Sequence, residues 1–158
     1  MSPSSNGSDA GSVVLVTGGT RGIGRTIAAR FAATGATVLV CSRREPEAPH
    51  PDITYVTADV RDADAARAVV ATAVDRFDRL DVVVNNAGGS PSVPAAEASP
   101  NLVTSVVRLN LLAPFFVAQA ANAVMQTQGG GKIINIGSVS ALRPAPGTAA
   151  YAAAKAGL

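Results

Sequence analysis

A chain of 158 residues, 47% hydrophobic and only 15% charged, is long enough for one domain with a real core and too apolar for a disordered chain. Its net charge of +2 comes from thirteen scattered Lys and Arg, with no run longer than Arg43-Arg44, so no clustered basic face points to nucleic acid. Cys41 is the only cysteine and His50 the only histidine, which excludes an internal disulfide, a cysteine-based metal cluster and a His-rich metal site, and argues against a Ser-His-Asp triad.

Met1 to Gly11 (MSPSSNGSDAG) is polar and small, without the basic start and apolar stretch of a signal peptide. It reads as a flexible tail on a cytoplasmic protein, ahead of one domain over residues 12–158. Polar residues interrupt the remaining apolar runs too often for a membrane span, so no membrane partner is expected.

Val13 to Thr17 (VVLVT) reads as a buried strand. Gly22 to Thr34 follows as a helix, with Ile23, Ile27 and Phe31 on one stripe and Gly35 ending it. Thr37 to Ser42 is a second strand, Arg43 to Asp52 a Pro-rich loop, and Thr54 to Ala58 a third strand. Asp62 caps a helix running to about Phe77. Leu80 to Asn85 is a fourth strand, and Gly88 to Pro100 a Gly/Pro/Ser loop. A long helix spans about Asn101 to Thr127, broken or bent near Pro114. Three glycines then lead into Lys132 to Ile136, a fifth strand, and Thr148 opens another helix. Continuous apolar strands alternating with helices specify an α/β fold, a doubly wound parallel sheet covered on both faces.

Between the first strand and the first helix lies Thr17-Gly18-Gly19-Thr20-Arg21-Gly22-Ile23-Gly24. A dinucleotide's pyrophosphate binds where backbone N–H groups at a helix N-terminus are not screened by side chains. The expected cradle is Gly18, Thr20, Arg21, Gly22, Ile23 and Gly24. In it Gly18 allows the turn, Gly22 the approach of phosphate and Gly24 the tight seating of the helix. The spacing G-x-x-x-G-x-G differs from the general G-x-G-x-x-G fingerprint.

The second strand ends Cys41-Ser42-Arg43-Arg44, with no carboxylate before Glu45. An acidic residue there would bind a ribose 2′-hydroxyl. A serine hydroxyl and an arginine instead suit a 2′-phosphate through charge-assisted hydrogen bonds. Ser42, Arg43 and Arg21 therefore point to NADP(H), with NAD(H) as the alternative.

Tyr151 and Lys155 stand four apart at the start of a helix and share a face. Ser138 lies at the end of the fifth strand, Asn85-Asn86-Ala87-Gly88 at the end of the fourth, and Asn110 in an apolar stretch of the long helix. With the glycine turn, these segments from Ser12 to Leu158 resemble the short-chain dehydrogenase/reductase family. The resemblance implies a Rossmann-type fold and a catalytic tetrad of Asn110, Ser138, Tyr151 and Lys155. It also implies that Asp59 and Val60 meet the adenine and that Asn86, Ala87 and Gly88, with Tyr151 and Lys155, border the cofactor. Carbonyl reduction needs a hydride and a proton. Tyr151 would give the proton, Lys155 would lower its pKa and hold the nicotinamide ribose, Ser138 would hold the substrate oxygen, and Asn110 would support a water-linked proton path.

The loops Val139 to Ala150 and beyond Gly88 would line the substrate pocket and suit a small-to-medium alcohol or ketone. Arg143 is either a solvated residue or a contact for an anionic group. By the same resemblance roughly a third of a family member's length lies beyond Leu158, including the C-terminal strands of the sheet and the segment that closes over substrate. The fifth strand is then expected to be an open edge. The full-length protein is expected to be an oxidoreductase and a homo-oligomer, dimer or tetramer, and the present chain alone inactive or poorly folded. The contrasting reading is a non-catalytic dinucleotide-binding module.

Overall fold

The computed structural model describes residues 9–158. Met1 to Ser8 of the expected tail lie outside the described residues, and Asp9–Gly11 form a turn that packs near Gly35.

Five β-branched or apolar runs form five parallel strands: β1 (Val13–Thr17), β2 (Thr37–Ser42), β3 (Ile53–Thr57), β4 (Val82–Asn85) and β5 (Lys132–Asn135). Their order in the sheet is β3-β2-β1-β4-β5. Register aligns Val14 with Val38 and Val82, and Val16 with Val40 and Val84. These valines share one face and pack under Ala28, Ile27 and Phe31 of α1 (Gly22–Ala33). The alternate residues Val13, Leu15, Leu39, Cys41 and Val83 face α2 (Ala63–Phe77) and α4 (Ala113–Thr127). Burial pushes the Cys41 thiol up to about 12, so it is inert packing.

Local signals place the helices. Asp62 accepts from the Ala65 N–H at the start of α2, at 2.8 Å. Ser99 accepts from the Leu102 N–H at the start of α3 (Pro100–Val107), where Pro100 takes the first turn. Ile23, expected on the core stripe with Ile27 and Phe31, is 68% exposed. It occupies the first turn of α1, and the helix's core contacts begin one turn further on, at Ile27 and Ala28.

The irregularity expected near Pro114, a break or a bend, takes the form of a π turn rather than a break. Residues 100–127 form one continuous helix, and its irregularity is a π turn over Arg108–Leu112, upstream of the proline. Pro114 has no N–H for the carbonyl four residues before it, which is that of Asn110, and its ring crowds that carbonyl. The helix widens in response, and the Ala113 N–H donates to the Arg108 carbonyl five residues back. By length and composition this helix could cross a membrane. Its α4 part, however, buries Val117, Ala121 and Met125 in the core.

The chain direction across the sheet reverses between β1 and β4. β2 and β3 extend one way and β5 the other. In such sheets the crevice beyond the strand C-termini at the reversal is the ligand position.

Candidate active site

The turn after β1 is held open by glycine. Gly18 has φ +67° and a Cβ there would sit 2.9 Å from the Ala87 Cα; Gly22 has φ +53° with nothing within 4 Å of an added Cβ. A Cβ on Gly24 would fall 2.3 Å from Asn86 Nδ2 and 2.6 Å from the Gly18 carbonyl. Gly24 thus seats α1 against the β4 loop rather than against the sheet itself. Arg21 precedes the helix without a side-chain cap, and the first turn carries no acidic residue. Thr20 and Arg21 lie on this turn, half-buried and exposed respectively. The helix start therefore has no side-chain cap for its N–H groups.

Two residues of this turn were not among the expected site. Thr17 Oγ1 accepts from the Asn86 and Ala87 N–H groups at 3.1 and 3.0 Å. Asn86 Nδ2 returns two bonds, to the carbonyls of Thr17 and Gly18 at 3.0 and 3.1 Å. Gly19 lies against β2, where a Cβ would fall 2.7 Å from a Val40 methyl. Thr17 was legible only as the end of a strand, because its partners are about seventy residues away in sequence.

At the end of β2 the Ser42 hydroxyl bonds the Arg44 carbonyl and accepts from the Arg44 N–H. Arg43 and Arg44 are exposed. Beside them, after β3, Asp59 is half-buried and Val60 buried. The Arg61 guanidinium hydrogen-bonded to Asp59 holds its carboxyl below the usual range.

Of the residues expected to react, Ser138 follows β5, and Tyr151 and Lys155 lie on α5 (Ala149–Ala156). Ser138 caps a short 3-10 turn, its Oγ accepting from the Ser140 N–H at 3.1 Å, so its own O–H remains a free donor. Lys155 is 6% exposed, and its Nζ donates to the Ile136 carbonyl at 2.7 Å. Burial lowers its pKa from the ordinary lysine value. Tyr151 lies one helical turn earlier, half-buried.

Asn110, fully buried in the π turn, donates from Nδ2 to the carbonyls of Gly89 and Val106, and its Oδ1 accepts from the Gly89 N–H. Its amide therefore clips the loop after β4. Gly88 stands between the two groups: a Cβ there would be 2.9 Å from Asn110 Oδ1 and 3.7 Å from Lys155 Nζ. Asn110, Gly88, Lys155 and the end of β5 thus form one cluster. Ser138 and Tyr151 border it through β5 and α5, and no direct hydrogen bond between these two occurs among the described residues.

The sequence pattern of the short chain dehydrogenase family matches residues 12–158. The chain belongs to that family. Among its relatives within the short chain dehydrogenases is a 3-oxoacyl-(acyl-carrier-protein) reductase of Synechocystis sp., 36% identical over 156 residues, which cover 92% of this chain and 63% of the relative. Another is a 3beta-hydroxysteroid dehydrogenase of Mediterraneibacter gnavus, 36% identical over 153 residues, covering 90% and 55%. The crystal structure of a short chain dehydrogenase from Bacillus anthracis superposes with a TM-score of 0.86 at 34% identity, covering 93% of this chain and 65% of that one. The chain thus spans about three fifths of the length of the curated relatives it matches. The doubly wound sheet expected from the sequence is the fold of this family.

Proposed function

We propose that the protein is an NADP(H)-dependent oxidoreductase that interconverts a carbonyl and an alcohol, with Asn110, Ser138, Tyr151 and Lys155 as its reacting residues. The observation that carries this reading is the buried ammonium of Lys155, one helical turn from a phenol, beside Gly88 and Asn110 at the sheet's reversal edge. A surface lysine at helical spacing from a tyrosine would not be buried there.

The residues fit a dinucleotide. The uncapped start of α1 behind Gly18 and Gly22 suits a pyrophosphate, and Arg21 and Arg43 suit a 2′-phosphate, which the Ser42 hydroxyl would join by turning its proton from the Arg44 carbonyl. Asp59 does not oppose that phosphate strongly, because Arg61 balances its charge. Bound along this edge, a nicotinamide would supply the hydride.

Tyr151 donates its phenolic proton to the oxygen that becomes an alkoxide, and takes it back in the oxidative direction. A phenol of pKa about 10 is a poor base at neutral pH, and the Lys155 ammonium nearby favours the phenolate. The free O–H of Ser138 donates to the substrate oxygen where charge accumulates. Both N–H groups of the Asn110 amide are engaged, while Oδ1 accepts one bond and keeps a second acceptor site, which suits a water-linked proton path to Lys155.

A small-molecule alcohol or ketone as substrate, a cytoplasmic location and a homo-oligomer complete the proposal. Phe115 and Leu112, exposed on the long helix, support a second copy as neighbour.

Two measurements test this reading. Titration calorimetry with NADP and NAD should give an affinity about tenfold to a hundredfold higher for the 2′-phosphorylated form. NADPH consumption over a panel of ketones should fall about a hundredfold or more in Tyr151→Phe with binding intact. Binding without turnover in the protein completed by the C-terminal part found in its relatives would favour the non-catalytic module instead.

A further inference from the structure

The ammonium of Lys155 is placed by its acceptor, the Ile136 carbonyl, one residue beyond the end of β5. The strand gives that carbonyl little support of its own. All four of its residues are exposed, and β4 is its only neighbour in the sheet among the described residues.

A tie lies at the strand's end instead. Asn85 and Asn135 are register partners at the ends of β4 and β5, so their side chains share one face of the sheet. Asn85 is buried, and its Nδ2 donates to Asn135 Oδ1 at 3.0 Å and to the Pro114 carbonyl of α4 at 3.2 Å. Its backbone carbonyl accepts from the Ile136 N–H at 3.0 Å. Asn85 therefore grips the end of β5 twice, by side chain at position 135 and by backbone at 136. Among the described residues, the bond from Asn85 to Asn135 is the only one between side chains of β4 and β5.

Pro114 follows the π turn that carries Asn110. The Asn85 amide thus spans both supports of the reacting cluster, the helix that bears Asn110 and the strand end that holds Lys155. Its own Oδ1 is buried with no partner. An unpaired buried amide oxygen is a cost that an apolar side chain would not carry, so the position is explained by its two N–H groups. Asn135, though exposed on an edge strand, turns its Oδ1 to this buried donor, as a solvated surface residue would not.

We propose that Asn135 is a positioning residue for Lys155: held by Asn85, it fixes the end of β5 so that the Ile136 carbonyl keeps the ammonium beside Gly88 and Asn110. This rests on the oxidoreductase reading above and adds to it a residue outside the reacting four.

The test reads the ammonium itself, on the 158-residue chain and without turnover. The chain has two lysines, so nitrogen-15 lysine labelling gives two ammonium signals, and exposed Lys132 is the internal reference. Exchange of the ammonium protons with water is followed by NMR. In the unaltered chain Lys155 should exchange about tenfold or more slowly than Lys132, and Asn135→Ala should remove most of that protection. Asn135→Asp keeps an oxygen acceptor for Asn85 and should keep most of the protection. Ile133→Ala loosens the same exposed face of the same strand without touching the clamp, and should leave Lys155 as it was. If Asn135→Ala does not fold, backbone exchange in the unaltered chain gives the reading. The Ile136 N–H at the clamped end should then exchange about tenfold more slowly than the Lys132 N–H, which donates to the Asp81 carbonyl at the other end. Lys155 exchange unchanged in Asn135→Ala, an equal loss in Ile133→Ala, or equal backbone exchange at the two ends would overturn the proposal and leave the oxidoreductase reading standing. A chain that shows the expected exchange yet binds no NADP would count against that reading and not against the clamp.

Discussion

The two sides of the sheet's reversal point are built to different standards. On one side, all five residues of β1 are buried, and the turn that follows is cross-braced to the β4 loop through Thr17 and Asn86. On the other, all four residues of β5 are exposed, Ile133 and Ile134 among them, and β5 has only β4 as a neighbour among the described residues. Ser138 and Lys155 each hang there on a single side-chain hydrogen bond. A phosphate cradle made of backbone N–H groups works only if the backbone is fixed in advance. A proton donor and its neighbours are side chains, and they can be held more lightly until a ligand arrives.

The comparison can be broken most directly by the same deletion on both sides. Leu15→Ala, at a fully buried position, is expected to cost about 3 kcal/mol of unfolding free energy. Ile134→Ala, at a position 41% exposed, should cost under about 1 kcal/mol. Urea denaturation of the two variants measures the difference, and equal losses would mean that β5 is as firmly packed as β1. Next in size is Thr17→Val, which keeps the shape, leaves the Ala87 N–H without its side-chain acceptor and leaves the Asn86 N–H with the Val84 carbonyl alone. About 2 kcal/mol is expected to go, with weaker dinucleotide binding, while Thr17→Ser should stay close to the parent in both assays.

The rigid side was also the more legible in the sequence. β1 and β2 have the bounds that their apolar runs announce, and Asp62 and Gly18 do locally what their residue types predict. Each of these is decided by neighbours within a few positions. The Thr17 brace joins residues far apart in sequence, and no local pattern marks it. The irregularity expected near Pro114 was legible, but its form as a π turn was not. A proline acts on the carbonyl four residues before it, so the signal at Pro114 produced its distortion at Asn110. Ile23 has the right period for the core stripe and the wrong height on the sheet. Residue type found Lys155 and Asn110, but their common neighbour Gly88, and the loop clip that keeps Asn110 there, are facts of three-dimensional packing.

A third expected effect sharpens the comparison most, because it has a sign that packing alone does not give. Lys155 is buried with one hydrogen bond, and burial lowers its pKa from the ordinary lysine value. Between the folded value and the unfolded one, about 10.4, the unfolded chain binds more protons, so this group makes stability rise with pH in that window. Below the folded value the cost of burying the ammonium is present in full. Lys155→Met keeps most of the stem and removes the charge. At neutral pH it should stabilise the ligand-free protein by about 1 kcal/mol, and the gain should be smaller at a pH near the unfolded value, above the lowered folded one, because the parent sheds the proton on the way. Urea denaturation at the two pH values reads this directly. A variant less stable at both, by the same amount, would mean that the ammonium and the Ile136 carbonyl form a net stabilising contact. The proposed reacting side would then be as well braced as the cradle side, and the contrast between them would rest on β5 alone.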